Sequence, residues 1–187
     1  MGLPESSPRR HSIRLPGYDY SQAGAYFVTI VTQDRSCLFG RVEDSEMELN
    51  AVGTMVEKVW LEIPEHFDDV NVDTFVVMPN HIHGIIKIDN EGRLSNVGAR
   101  HAVPLPHHKD IIEALGKPVR GSIPTIIRSF KSAVTKQYHM MTNTQNTYLW
   151  QRNYYEHVIR DERDYQSIYD YILTNPLNWD KDEENQE

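Results

Sequence analysis

The sequence is short of cysteine, of long apolar runs and of net positive charge, and each shortage excludes a class of protein. A single cysteine, Cys37, in 187 residues builds no disulfide framework and no Cys-rich zinc module, which fits a reducing, cytoplasmic setting. No apolar run approaches the roughly 18 residues that a membrane span needs. Arg9, Arg10 and Arg14 precede any apolar stretch, so the start of the chain lacks the hydrophobic region of a signal peptide. What is present suffices for one core: 39% hydrophobic and 10% aromatic residues exclude disorder throughout and fit one domain over residues 1–187.

The formal net charge of -8 argues at first against a polyanionic ligand, whose affinity is largely electrostatic. The distribution along the chain tells more than the total. Residues 41–73 hold ten acids against Arg41 and Lys58, a local charge of -8. Residues 117–136 hold Lys117, Arg120, Arg128, Lys131 and Lys136 with no acid, a local charge of +5. The basic stretch can face an anionic ligand while the acidic one faces water, and it can equally be a solvated helix face.

Periodicity places the elements. Ala25 to Gln33 is rich in β-branched and aromatic residues between Gly24 and Asp34, which predicts a strand. Asn50 caps a predicted helix in which Val52, Met55, Val56, Val59, Trp60 and Ile63 share one face, and Pro64 ends it. Strands follow from Asn71 to Met78 and from His81 through Ile88, close enough to form a hairpin. Residues 89–121 show no period and read as an insertion or a mobile loop. Ser122 and Pro124 open a helix with Ile123, Ile127, Phe130, Val134 and Tyr138 on one stripe and Arg128, Lys131 and Thr135 on another. A short strand from Tyr154 to Ile159 and a last helix from Asp161 to Pro176 complete the set. Residues 1–19 read as an N-terminal arm and residues 180–187 as a solvated acidic tail. The order β-α-β-β-α-β-α predicts an α+β, ferredoxin-like antiparallel sheet with two helices on one face, an additional C-terminal helix, and the other face free for a site.

His81-Ile82-His83 is the sharpest local feature. In a strand, side chains at i and i+2 share a face, so both imidazoles can grip one divalent ion, although two surface histidines satisfy the same pattern. On the last helix, at about 100° per residue, Ile168, Tyr169 and Ile172 fall within about 60° of Tyr165 and form the inward stripe. Tyr171 lies about 120° and Asn175 about 80° from Tyr165 on one side, a separate polar pair one turn apart. An amide oxygen can ligate a hard cation, and a phenol one turn away can attack a phosphate held there. Asn before Pro is also an ordinary helix stop.

Met78-Pro79-Asn80-His81-Ile82-His83-Gly84, the basic helix and Tyr171-Ile172-Leu173-Thr174-Asn175-Pro176 together resemble the single-tyrosine HUH transposases, in particular the REP-associated tyrosine transposase branch. Gly17-Tyr18-Asp19-Tyr20, Ser129-Phe130-Lys131-Ser132 and Trp150-Gln151-Arg152-Asn153-Tyr154-Tyr155-Glu156-His157 are similar to that family as well, so the resemblance spans most of the chain. It implies a ferredoxin-like nuclease that cuts and rejoins single-stranded DNA beside hairpins. His81 and His83 would then be metal ligands with Asn175 as the third, Tyr171 the nucleophile that joins a 5′ phosphate, and the ion Mg²⁺ or Mn²⁺. Arg128, Lys131 and Lys136 are the expected phosphate contacts. Monomer and homodimer fit equally.

Other readings stay open at this point. Tyr154 and Tyr155 beside His157 offer a rival pair, read here as structural members of a short strand. His101, His107 and His108 lie in the insertion and read as exposed loop histidines. A non-catalytic single-strand binding module would use the aromatic strand Tyr26-Phe27-Val28 without needing the histidines. A water-using metal phosphodiesterase would need the ion but no tyrosine.

Overall fold

In a computed structural model the described residues are 18–89, 119–145 and 147–185. The N-terminal arm up to residue 17, most of the predicted insertion with His101, His107 and His108, and the last two residues of the acidic tail lie outside them. The described elements are β1 (Gly24–Val31), β2 (Gly40–Glu43), β3 (Glu46–Leu49), α1 (Ala51–Leu61), α2 (Ile63–His66), β4 (Val70–Val77), β5 (His81–Ile88), α3 (Ile123–Thr142), β6 (Tyr155–Ile159) and α4 (Glu162–Thr174). A 3₁₀ helix, Pro176–Lys181, follows α4.

Four strands form an antiparallel sheet in the order β4-β5-β1-β6. With β2 and β3 set aside, this is the ferredoxin-like arrangement, and the chain is α+β as expected. β1 is central because its side chains are apolar in both directions. Tyr26, Val28 and Ile30 enter a large core, while Phe27 points to the opposite face. α1 and α3 cover the first face through Val56, Val59, Trp60, Ile127, Phe130 and Val134. Trp60 lies so close to β5 that a Cβ on Gly84 would stand 2.4 Å from its Cζ2. The glycine after the second histidine therefore seats a helix against the back of the site.

Three details depart from the sequence reading. First, β2 and β3 form a separate hairpin inside the segment read only as acidic. Its turn residues Asp44 and Ser45 take positive φ without glycine, and its strands are four residues long and half exposed, so they leave little periodic signal. Second, Pro64 does not end helical structure. α1 stops at Leu61, and Pro64 occupies the first turn of α2, where a missing N–H costs nothing. Third, the face expected to be open carries α4, which buries Ile172 against Phe27 and Ile85.

Polar contacts fix α4 on that face. A bulge between Val72 and Phe75 interrupts β4, and there Asp73 accepts from the Tyr165 hydroxyl at 2.7 Å and pairs with Lys87. The Asp164 carboxylate meets His157 Nε2 at 2.9 Å, tying the first turn of α4 to β6. Asp161 caps the same helix by accepting from the Asp164 N–H. Among the described residues no helix is long and apolar enough to cross a membrane.

Candidate active site

His81 and His83 point from the start of β5 to the face covered by α4, their ring centroids 4.4 Å apart. Antiparallel register sets Thr29 opposite His83 and Val31 opposite His81. The Thr29 hydroxyl bonds His83 Nδ1 at 2.8 Å, and the Tyr171 hydroxyl meets His83 Nε2 at 3.1 Å. Phe27 fills the floor, stacked on His83 and edge-on to Tyr171. The predicted nucleophile and one of the predicted metal ligands are thereby in direct contact.

His81 is oriented by its chain neighbour. The Asn80 amide nitrogen donates to the carbonyls of Arg35 and Glu184, so its oxygen faces His81 Nδ1 at 2.8 Å. An amide oxygen only accepts, so Nδ1 carries the proton and Nε2 keeps a bare lone pair. That Nε2 is buried without a hydrogen-bond partner, and so is Asn175 Oδ1. Asn175 Nδ2 donates to Asp182 Oδ2 at 2.9 Å, which assigns the amide's other atom to the pocket. Two buried acceptors left unpaired are costly in a protein interior unless a ligand completes them. A hard or borderline divalent cation accepts lone pairs from imidazole nitrogen and amide oxygen, so the residues present fit a metal.

The structure adds a residue that the sequence reading passed over. His81, His83 and Asp182 each offer a ligand atom, and these atoms lie within 4.8 Å of one another. Asp182 lies within the predicted solvated tail, in which Asp180, Lys181 and Glu183 are exposed while Asp182 is half-buried. The 3₁₀ helix turns the chain back, Trp179 packs beside His81, and Arg35 pairs with Glu184 at 2.6 Å. Nothing in the local sequence separates Asp182 from its acidic neighbours. Asn80 and Thr29 were likewise unassigned, because their roles depend on register and on a distant carbonyl.

Burial dominates the electrostatics. It holds His81 down to about 4, against the opposing pull of Asp182 and Glu184. His83 is lowered well below the ordinary histidine range by burial and by the neighbouring His81. Both rings are therefore neutral at pH 7, the form that ligates metals. Tyr171, 46% exposed, is pushed up to about 12 by partial burial and then by the carboxylates of Asp182, Glu183 and Glu184, with the Asn175 amide drawing it down.

The predicted phosphate contacts lie elsewhere. Arg128 and Lys136 are exposed on α3, across the sheet from Tyr171. Lys131 is partly buried on the same helix, its Nζ donating to the carbonyls of Gln151 and Asn153 at 3.0 Å and lying 5.7 Å from the Tyr154 ring centre. Burial lowers it to about 8. With Lys136 and His139 it lines an open groove of about 880 Å³.

Comparison with known proteins finds relatives along nearly the full length. No family model matches the chain. An "Uncharacterized protein" of Haemophilus influenzae is 41% identical over 177 residues, covering 93% of this chain and 92% of the relative. A second protein of that organism, named "Putative REP-associated tyrosine transposase", is 26% identical over 159 residues, covering 85% of this chain and 73% of its own length. A solved structure of the REP-associated tyrosine transposase bound to a REP hairpin shares the fold, with a TM-score of 0.50 at 20% identity, over 93% of this chain and 74% of the other. Joined to relatives of this extent, the His81-Ile82-His83 strand facing Tyr171 and Asn175 on one helix makes the chain similar, in fold and over most of its sequence, to REP-associated tyrosine transposases.

Proposed function

We propose that the protein is a metal-dependent single-stranded DNA endonuclease and strand transferase, a transposase that cuts near DNA hairpins through a 5′-phosphotyrosine. The observation that carries this reading is the convergence of two buried, partnerless ligand atoms, His81 Nε2 and Asn175 Oδ1, on a pocket whose second imidazole touches the Tyr171 hydroxyl. The name of one relative and the hairpin held by its structural neighbour point the same way.

His81, His83 and Asn175 would hold the ion, with Asp182 within reach. A bound Mg²⁺ or Mn²⁺ supplies Lewis acidity toward the scissile phosphate. Asn80 orients His81 so that its Nε2 lone pair faces the pocket, and Thr29 holds the His83 ring in place beside it, as hydrogen-bonded partners commonly do for ligating histidines. The Tyr171 oxygen then attacks phosphorus, forming one P–O bond as the bond to the 3′ oxygen breaks. The phenol loses its proton in this step, and the departing 3′ oxygen gains one. A phenol pushed up to about 12 stays protonated at neutral pH, so proton loss accompanies attack rather than preceding it. Reversal by a 3′ hydroxyl rejoins a strand, and conserved bond energy makes a nucleotide cofactor unnecessary. Arg128, Lys131 and Lys136 serve DNA phosphates on the far side of the sheet, away from the cut. This chemistry belongs with DNA in the cytoplasm.

The test is incubation with labelled single-stranded hairpin DNA and Mn²⁺, followed by denaturing electrophoresis. The expected result is a protein-linked strand with the natural sequence, none with Tyr171→Phe, and retention with Tyr154→Phe. Cleavage without a protein-linked strand favours the water-using phosphodiesterase. Binding without cleavage favours the non-catalytic module, and an adduct on another tyrosine overturns the role of Tyr171.

A further inference from the structure

We infer that Tyr155 is a stacking platform for one unpaired nucleobase beside the scissile phosphate. The inference rests on the single-stranded DNA reading above and adds a binding subsite to it. Among the described residues β6 is an edge strand, paired with β1 alone in the sheet. Its register sets Tyr155 opposite Thr29, the residue that bonds His83, and so roughly 10 Å, two strand spacings, from β5. Alternation along β6 points Tyr155 to the face that carries the histidines and Tyr171, while Glu156 is buried on the other side.

On that face Tyr155 is held but not covered. Its ring meets Phe27 edge-on at 6.1 Å, Phe27 meets Tyr171 edge-on at the same distance, and Phe27 stacks on His83 at 5.5 Å. One buried phenylalanine therefore sets both exposed rings in a common frame, with Tyr155 42% and Tyr171 46% exposed. A phenol positioned for attack requires a phosphate held still, and a base stacked on a ring fixed in the same frame immobilises the adjoining nucleotide. Every base has a π face, so such a platform tolerates sequence while it sets position.

The test reads binding, so that it does not depend on cleavage. In the full-length Tyr171→Phe chain, single-stranded hairpin oligonucleotides of mixed sequence, carrying an abasic residue at each position in turn, are titrated by fluorescence anisotropy. Tyr155→Ala and Tyr155→Leu each weaken binding roughly five- to a hundred-fold, the range expected when one base-aromatic stack is removed. Tyr155→Phe binds as the parent does. One abasic position penalises the parent and carries no further penalty in Tyr155→Ala. Equal affinity of the parent and Tyr155→Ala, full rescue by leucine, or identical abasic profiles in both overturns the platform while leaving the transposase reading intact. Absence of single-strand binding by the parent overturns both.

Discussion

His81 shows how much a single side chain depends on atoms far away in sequence. Its Nδ1 proton is assigned through Asn80, whose amide is in turn oriented by the carbonyls of Arg35 and Glu184. Burial holds its folded-state value at about 4, below the 6.5 of an exposed histidine. The unfolded chain therefore binds a proton that the folded one refuses between those values, and stability is complete above about pH 6.5 and falls as the pH drops toward 4. His83, lowered in the same direction by burial and by His81, adds to this acid sensitivity. Urea titrations at pH 7.5 and 4.5 should show a large loss in the parent and a smaller one in His81→Gln. Equal losses would mean that His81 is not the group responsible. At this scale the sequence was most legible for His81, His83, Tyr171 and Asn175, because strand alternation and the helical angle speak directly about faces. It was least legible for Thr29, Phe27 and Asp182, which reach the pocket only through register and a chain reversal.

Among the elements, β5 meets two demands, with histidines on one face and a helix seated on the other. Gly84 is where these demands converge, since any Cβ there would lie 2.4 Å from Trp60. Gly84→Ala should lower stability by roughly 1–3 kcal/mol through overpacking, read as a lower urea midpoint with an unchanged slope. Unchanged stability would show that Trp60 can move without cost. Helix α3 divides its labour differently, because Lys131 holds the Gln151–Asn153 segment while Arg128 and Lys136 face solvent. Arg128→Ala with Lys136→Ala should weaken binding to all single strands alike and reduce the salt slope by about 0.7 for each phosphate no longer neutralised. A weakening confined to one hairpin sequence would instead assign base reading to this helix. Adding Lys131→Ala should also cost stability, a result expected from its two carbonyl hydrogen bonds and not from its charge.

For the whole molecule, the site is a seam between separate parts of the fold. The histidines come from β5, Asn175 from the end of α4, and Asp182 from the segment beyond the 3₁₀ helix. An ion bound across that seam stabilises the folded state alone, by about 2.7 kcal/mol at a hundred times its dissociation constant. Mn²⁺ should therefore raise the melting temperature of the natural chain and leave that of His83→Ala unchanged. An equal rise in both would remove the proposed ligand set. The sequence by itself determined the order of the four main-sheet strands and the three long helices, the sheet class, the two same-face histidines and the polar pair on the last helix, because each follows from local periodicity. Only the tertiary structure decided that α4 lies on the histidine face, that Tyr171 touches His83, that Tyr155 shares its frame, and that Asp182 returns to the pocket. Those facts rest on the packing of residues tens of positions apart or across a chain reversal, where burial chooses the partner and local pattern carries no trace of it.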